Sequence, residues 1–459
     1  MHHFESKQHT IEERINEGKA LRKKCKRLSL GEYKTPTKRP DPVAILEKQG
    51  KTRVQELVPI RYARMLTSPF AFLRGSAGIM AGDIACSIKH SGLIVQACGD
   101  MHVANFGVFS SAERNLVFGI NDFDETLPAP FEWDLKRLVA SIVASGQFLG
   151  ADKKICEESI RSAVTTYRKK MKQYAQMGSL ELWYSTIKEK DILGSLNASA
   201  RAGAEKIFSK ARTRTHMQVL GKLTDIVDEK HLLRESAPFI VRMTHLENGK
   251  PIREGIRFFL ESYLASLADD RASLLKRYRI TDVVRKVVGV GSVGTRCFVV
   301  FLTGSHSDDP LFLQLKEAES SVLAPFVSKS KYSNEGQRVV SGQRLIQGAP
   351  DIFLGWGTVN NRQFYIRQLR DMKGGVEFDP AKAKIENLPQ YTALCGWALA
   401  LAHAKSGDAA MLTGYMGNSE ELDDAMVKFA FSYATQNEKD YDALVKAAKN
   451  GKIKVGKSE

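Results

Sequence analysis

Apolar and polar positions change their period several times along the chain, and these changes predict its elements. SPFAFLRGSAGIMAGDIA, residues 68–85, has the spacing of a helix capped by Ser68, with Pro69 in its first turn. GLIVQA then reads as a short apolar strand ending in the turn CGDMHVANFG. After the hairpin tip SSAERN, a second strand lies in NLVFGINDFDE. WDLKRLVASIVASGQFLG places its apolar residues on one helical stripe. Residues 153 to about 275 keep a helical period with few breakers. Between about 281 and 318, β-branched and aromatic residues take over, giving two strands around a glycine cluster and a third in LFLQLKEA. Helix returns at 333–347, and RQFYIRQL is a further strand before the turn DMKGG. The chain ends in the helices LPQYTALCGWALALAHAKSG and SEELDDAMVKFAFSYATQNEKDYDALVKAA.

Helical and strand-rich stretches that segregate in this way predict an α+β protein. At 459 residues the chain exceeds what one hydrophobic core serves. The expected parts are a loosely packed N-terminal arm (1–59), a part holding the first two strands (60–150), a helical insert (151–275), a strand-rich small lobe (276–375) and C-terminal helices (376–459).

The composition, 43% hydrophobic and 26% charged, is that of a soluble globular enzyme. No apolar run approaches the roughly 18 residues of a membrane span, and the polar N-terminus lacks the apolar stretch of a signal peptide. A cytoplasmic protein without a membrane span is expected. Six cysteines without a C-x-x-C pair argue against a zinc ribbon or a disulfide framework. The net charge of +16 points to an anionic partner: nucleic acid, a membrane surface or a phosphorylated substrate.

Candidate chemistry begins at GDMHVAN, where Asp100, His102 and Asn105 follow an apolar strand, and continues at Asp122 and Asp124 in NDFDE. An aspartate, an asparagine five residues later and a second aspartate on the next hairpin suit phosphoryl transfer to an alcohol. Asp100 can accept the hydroxyl proton, while Asn105 and Asp122, with Asp124 as a second acidic candidate, offer hard oxygen ligands for Mg²⁺. VVGVGSVGTRCFVVFL, residues 287–302, adds Gly289, Gly291, Ser292 and Gly294 in a phosphate-loop spelling. A dinucleotide site needs a helix at the third glycine, whereas TRCFVVFL reads as a strand. A kinase instead folds such glycines between two strands and puts a lysine on the third. Lys316 in LFLQLKEA, 22 residues after Gly294, is that candidate. An inward-facing lysine in an apolar strand needs an anionic partner; Glu335, 19 residues further on, is the first choice. Backbone groups from Gln368 and Leu369 to Arg370 are candidates for holding a nucleotide base.

GDxHxxN followed by D-F and then WDL resembles the catalytic core of the aminoglycoside and choline phosphotransferases of the protein-kinase-like superfamily. SPFAFLRG, NDFDE, EWDLKRL, GVGSVGTRC, LQLKEA and RQLRDMKG further resemble an uncharacterised bacterial family placed in that superfamily, over roughly residues 60–410. The resemblance implies a bilobal kinase-like fold using ATP and Mg²⁺. It matches Asp100 to the catalytic base, Asn105 and Asp122 to metal ligands, His102 to a structural histidine and Asp134 to a buried brace of the catalytic loop. Cys98 departs from it, since those enzymes usually carry histidine before the Gly-Asp. The glycine loop and lysine follow Asp100 by about 190 residues instead of preceding it, which implies a circular permutation. CGWALALAHAKSGD and the 68–85 segment compete for the place of the helix that precedes a kinase catalytic loop.

The expected function is ATP- and Mg²⁺-dependent phosphoryl transfer to a hydroxyl-bearing acceptor, with the basic insert favouring an anionic one. Nucleotidyl transfer uses much the same parts. A decayed kinase fold holding nucleic acid is a rival, against which the retained lysine, base and metal ligands speak. A metallophosphoesterase is a weaker one, because ten histidines without a clustered H-x-H offer few metal ligands.

Overall fold

Alternation along the strand Pro310–Glu317 explains how the sheet half of the molecule is built. Leu311, Leu313 and Leu315 join one apolar core with Phe259 and Tyr263 of the helix Ile252–Leu264, while Phe312 joins a second core on the other face with Val284, Val299 and Phe301. Covered on both faces, the strand is buried at every position. In the computed structural model, which describes residues 9–87, 89–214, 216–245, 249–369 and 372–457, this strand lies inside a six-stranded antiparallel sheet. Arg279–Lys286, Cys297–Thr303 and Pro310–Glu317 pair consecutively. Arg362–Gln368 lies on the other side of Pro310–Glu317, followed by Gly355–Val359 at one edge, with Ile240–Arg242 at the opposite edge. The helix Glu335–Ile346 joins the third strand of this run to the fourth.

The other half is mainly helical. Phe131–Leu149 is buried on nearly every side by Lys153–Tyr174, Leu388–Ser406 and Glu421–Lys449. Two short pairings abut it: Ile94–Ala97 with Leu127–Pro130, and the hairpin Phe106–Ser110 with Leu116–Ile120. Leu388–Ser406 ends beside Ile94–Ala97, where the Gln96 N–H donates to the Ser406 hydroxyl at 3.1 Å. That helix, CGWALALAHAKSGD in sequence, therefore lies next to the strand leading to Asp100, although almost 300 residues separate them.

The mixed α+β architecture agrees with the sequence reading, and three elements differ from it. The N-terminal arm is docked rather than loose: it forms the helices Ile11–Ala20 and Pro42–Gly50, buries Leu30 and Leu46, and sends Arg39 to Asp83 and Asp440. The 68–85 helix is two helices, Pro69–Gly75 and Ala77–Ser87, the first opened by the Ser68 hydroxyl accepting from the Ala71 N–H. Residues 151–275 are not one helical body. Lys153–Tyr174 belongs to the helical half, Ile240–Arg242 extends the large sheet, Ile252–Leu264 covers its outer face, and Thr224–Val227 pairs with Lys230–Leu233 as a hairpin. Helical period alone does not tell which neighbour an amphipathic face will find.

Candidate functional site

The turn after Ile94–Ala97 is shaped from beneath by Asp134, in the first turn of Phe131–Leu149. Its carboxylate accepts the Cys98 N–H at 2.6 Å and the Gly99 N–H at 2.9 Å, and lies 3.3 Å from His403 Nε2. Tyr167 holds the other nitrogen of His403 at 2.8 Å. Gly99 has φ +83°, and a Cβ there would sit 2.5 Å from the Glu125 carbonyl, so this bend needs glycine. Cys98 has its own role: its thiol donates to the Asp122 carbonyl at 3.0 Å, and burial pushes its pKa far up. A thiol thus ties the two acidic turns together.

Asp100 projects from this turn. Its Oδ1 accepts from Arg137 Nε at 2.9 Å and Nη2 at 2.7 Å, leaving Oδ2 on the side of His102 Nε2, 3.9 Å away. Burial, only partly opposed by Asp100, lowers the His102 pKa to about 3, so the imidazole is neutral at physiological pH. Asn105, 3% exposed, donates from Nδ2 to the carbonyls of Asp122 (3.0 Å) and Asp100 (3.3 Å). Among the described residues its Oδ1 accepts no hydrogen bond.

Lys316 reaches the same place from the sheet. Its Nζ lies 2.6 Å from Asp124 Oδ2 and 3.3 and 3.4 Å from the two oxygens of Asp122. Burial alone would lower the lysine pKa, but Asp122 and Asp124 outweigh it and raise the value well above normal. Burial likewise opposes the Asp122 charge, and Lys316 and Arg367 overcome it, holding that carboxyl below its ordinary value. Asp124 also accepts from the Tyr365 hydroxyl at 2.5 Å and from the Ser292 hydroxyl at 3.2 Å. The glycine loop, Gly289 to Gly294, therefore lies against the acidic turn. It runs between two antiparallel strands, with Cys297–Thr303 after it rather than a helix. Residues before the first strand hold it: Arg64 donates to the Gly289 carbonyl, Arg53 to those of Gly291 and Val293, and Val54 N–H to that of Gly294. Gly294 has φ +92°, with a would-be Cβ 3.0 Å from Arg53.

Asp100, Asn105, Asp122, Asp124, Ser292 and Lys316 thus converge, with Asp134 and His102 behind them. Two expectations differ. Glu335 sits at the first turn of its helix and pairs with Arg338, a buried side chain that also binds the carbonyls of Asp124, Thr126 and Glu319. Asp124 stands in the place expected for Glu335, as the counter-ion of Lys316. Further along, the Gln368 N–H donates to Asp351 and the Leu369 N–H to the Phe312 carbonyl, so neither N–H is available to a base; Arg370 lies outside the described residues. Sequence reasoning missed Arg137, Tyr365, Arg53 and Arg64. Only Arg137 carried a signal, standing three residues after Asp134 on one helix face.

Asp122, Asp124 and the free oxygen of Asn105 are hard donors that fit Mg²⁺, an ion that keeps several waters and takes one or two carboxylates. Among the described residues, no group of three His, Cys, Asp or Glu is placed to hold a metal ion. No described helix is long and apolar enough to cross a membrane.

Fold and site together define a mixed helix-and-sheet protein with a charged site where its sheet meets its helical half. The chain belongs to DUF2252, a family described as an uncharacterized protein conserved in bacteria, whose family model matches residues 53–447. No curated protein and no solved structure matches it.

Proposed function

We propose that this protein is an ATP- and Mg²⁺-dependent phosphotransferase on a permuted protein-kinase-like fold. One observation carries the reading: Lys316 and Ser292 of the sheet meet Asp122 and Asp124, whose turn is bonded through Asn105 to the Asp100 turn. A glycine loop between the first two strands, a lysine on the third and a helix between the third and fourth are the parts a kinase closes over a triphosphate. The end of Leu388–Ser406 beside Ile94–Ala97 supports the permuted order, since a late helix fills the place before the catalytic turn.

In this reading the acceptor hydroxyl gives its proton to Asp100 Oδ2 as its oxygen bonds to the γ-phosphorus. The bond from that phosphorus to the β–γ bridging oxygen breaks, and ADP leaves with the electron pair. Arg137 holds Oδ1 and so fixes the direction of Oδ2. Asp122, Asp124 and Asn105 Oδ1 would hold the divalent ion, which when bound would neutralise phosphate charge. Lys316 exchanges part of its carboxylate contact for phosphate oxygens, beneath the backbone N–H groups of the glycine loop. Excess positive charge favours an anionic acceptor.

The test is thermal stabilisation by ATP with and without Mg²⁺, on wild type, Asp122→Ala and Lys316→Ala. A Mg²⁺-dependent rise in Tm in the wild type, absent from both variants, is expected. Absence of any shift with ATP, GTP or other nucleoside triphosphates in the wild type sinks the reading.

A further inference from the structure

The last turn of Pro69–Gly75 runs between the two halves of the candidate site. At Leu73 its carbonyl accepts from Arg137 Nη2 at 2.6 Å, and the same guanidinium holds Asp100 Oδ1. One residue on, the Arg74 carbonyl comes within 3.1 Å of where Gly291 would carry a Cβ. This helix end is therefore braced against the base on one side and against the glycine loop on the other. Phe70, Ala71, Phe72, Leu73 and Gly75 are buried around it, and Arg74 between them is half-buried.

The neighbouring cations are engaged. Arg137 binds Asp100 and Leu73, Lys316 binds Asp122 and Asp124, and Arg53 and Arg64 bind carbonyls of the glycine loop. Arg74 differs. Its side chain forms no hydrogen bond or ion pair with any described residue, and its Nε is buried without a partner. The guanidinium lies over the Phe70 ring, 5.9 Å from the centroid. Burial lowers its pKa, and the carboxylate that opposes this is Asp100. Arginine nevertheless stays charged, so a positive group stands on the side of the base. A partly buried guanidinium without an ion pair is stabilised by an anion, and its planar fork suits several oxygens at once.

We propose that Arg74 binds the γ-phosphoryl oxygens of the nucleotide and stabilises them during transfer, an inference that rests on the phosphotransfer reading and adds a catalytic residue to it. Phosphoryl transfer leaves the protein little covalent chemistry, so its rate comes from positioning and from positive charge on the moving group. A hydroxyl held at Asp100 attacks a phosphorus that lies between the base and the glycine loop. The helix end that carries Arg74 is fixed to both. Lys316 supplies charge beside Asp122 and Asp124, and Arg74 supplies it beside Asp100. An anionic group on the acceptor shares this chemistry, and comparing a triphosphate with a diphosphate separates the two sources.

Calorimetric titration of the full chain with Mg²⁺ and either ADP or β,γ-imido-ATP, a triphosphate that does not transfer its end group, tests this without an acceptor. In Arg74→Met the triphosphate is expected to bind about tenfold more weakly than in wild type, with ADP within about twofold, because one charge-assisted contact to the γ-phosphoryl group is lost. Without nucleotide, the Tm of the variant is expected at or above that of wild type, since an apolar side chain replaces a charge that has no ion pair. Should Arg74→Met fail to fold by circular dichroism, Arg74→Gln removes the charge and keeps a polar tip, with the same selective loss expected. The proposal is overturned if a folded variant binds both nucleotides like wild type, which would assign Arg74 to the acceptor or to the scaffold, or if it loses both equally. A wild type that binds neither nucleotide sinks the phosphotransfer reading, and this proposal with it. A wild type that binds both, with the same ratio of affinities in the variant, sinks this proposal alone.

Discussion

Lys316 Nζ lies 2.6 Å from Asp124 Oδ2 and ties the third strand of the sheet to a turn 192 residues earlier in the chain. The two ends differ in their access to water: the Lys316 side chain is 3% exposed, that of Asp124 28% and that of Asp122 42%. The cation is thus the member of the cluster that cannot be hydrated when its partner goes.

That asymmetry predicts unequal costs. Asp124→Ala leaves a buried ammonium with only the longer contacts to Asp122, and the loss expected is about 3 kcal/mol, near the lower end for an orphaned buried charge. Lys316→Met leaves two carboxylates that water can reach, and is expected to cost about 1 kcal/mol. Urea unfolding of the two variants measures the difference; equal losses would show that the cluster is hydrated as a whole.

A second prediction separates the base from the binding groups. Asp100→Asn keeps the shape of the turn and removes the proton acceptor, so turnover falls by about 10²-fold or more. On the proposed reading its nucleotide-induced stabilisation stays, because that reading assigns Asp100 to neither metal nor phosphate. Arg137→Lys loses the two-pronged hold on Oδ1 and the bond to the Leu73 carbonyl, so turnover drops while the nucleotide shift again persists. Nucleotide hydrolysis alongside thermal shifts reads both. A shift lost in Asp100→Asn would place Asp100 among the nucleotide-binding groups instead.

Much of this site was legible because its pieces are local. GDMHVAN and NDFDE each combine a strand end with a turn, and a strand after the glycines follows from TRCFVVFL. The partner of Lys316 was not legible, since it depends on where side chains point. Glu335 and Arg338, three residues apart on a helix, satisfy one another, and Arg338 is then fixed by three carbonyls. The docking of the arm was hidden for a different reason. TPTKRPDPV has no apolar period, and its anchor, Arg39, finds Asp440 some 400 residues away. The N–H groups of Gln368 and Leu369, in the stretch expected to hold a base, are engaged by Asp351 and Phe312, partners that a strand pattern does not reveal.

Asp134 supports the argument at its base. Its carboxylate receives two backbone N–H groups as charge-assisted bonds, so Asp134→Ala orphans both and is expected to cost about 3 kcal/mol or more. Asp134→Asn keeps one acceptor oxygen and costs less. Hydrogen exchange at Cys98 and Gly99 reports the effect directly: faster exchange at those amides in Asp134→Ala, ahead of global unfolding, is expected, and unchanged protection would assign the brace elsewhere.

The last prediction concerns acid. Burial lowers the His102 pKa from 6.5 to about 3, and its Nδ1 is buried without a partner. Between those values the unfolded chain holds a proton that the native protein does not, so stability from a neutral His102 is complete above pH 6.5 and is lost as the pH falls toward 3. One proton corresponds to about 1.4 kcal/mol per pH unit. Glu125 acts in an overlapping window with the opposite sign: burial raises its pKa from 4.5 to about 7, so its contribution is present below 4.5 and lost as the pH rises to 7. The total slope for the wild type therefore mixes the two, and only a difference isolates the histidine. His102→Gln keeps Glu125 and removes the imidazole, so its stability, from urea midpoints at successive pH values, should fall less steeply than wild type from pH 6 downward. Parallel curves would mean that His102 takes up its proton in the native state, and that the environment beside Asp100 is wetter than its burial indicates.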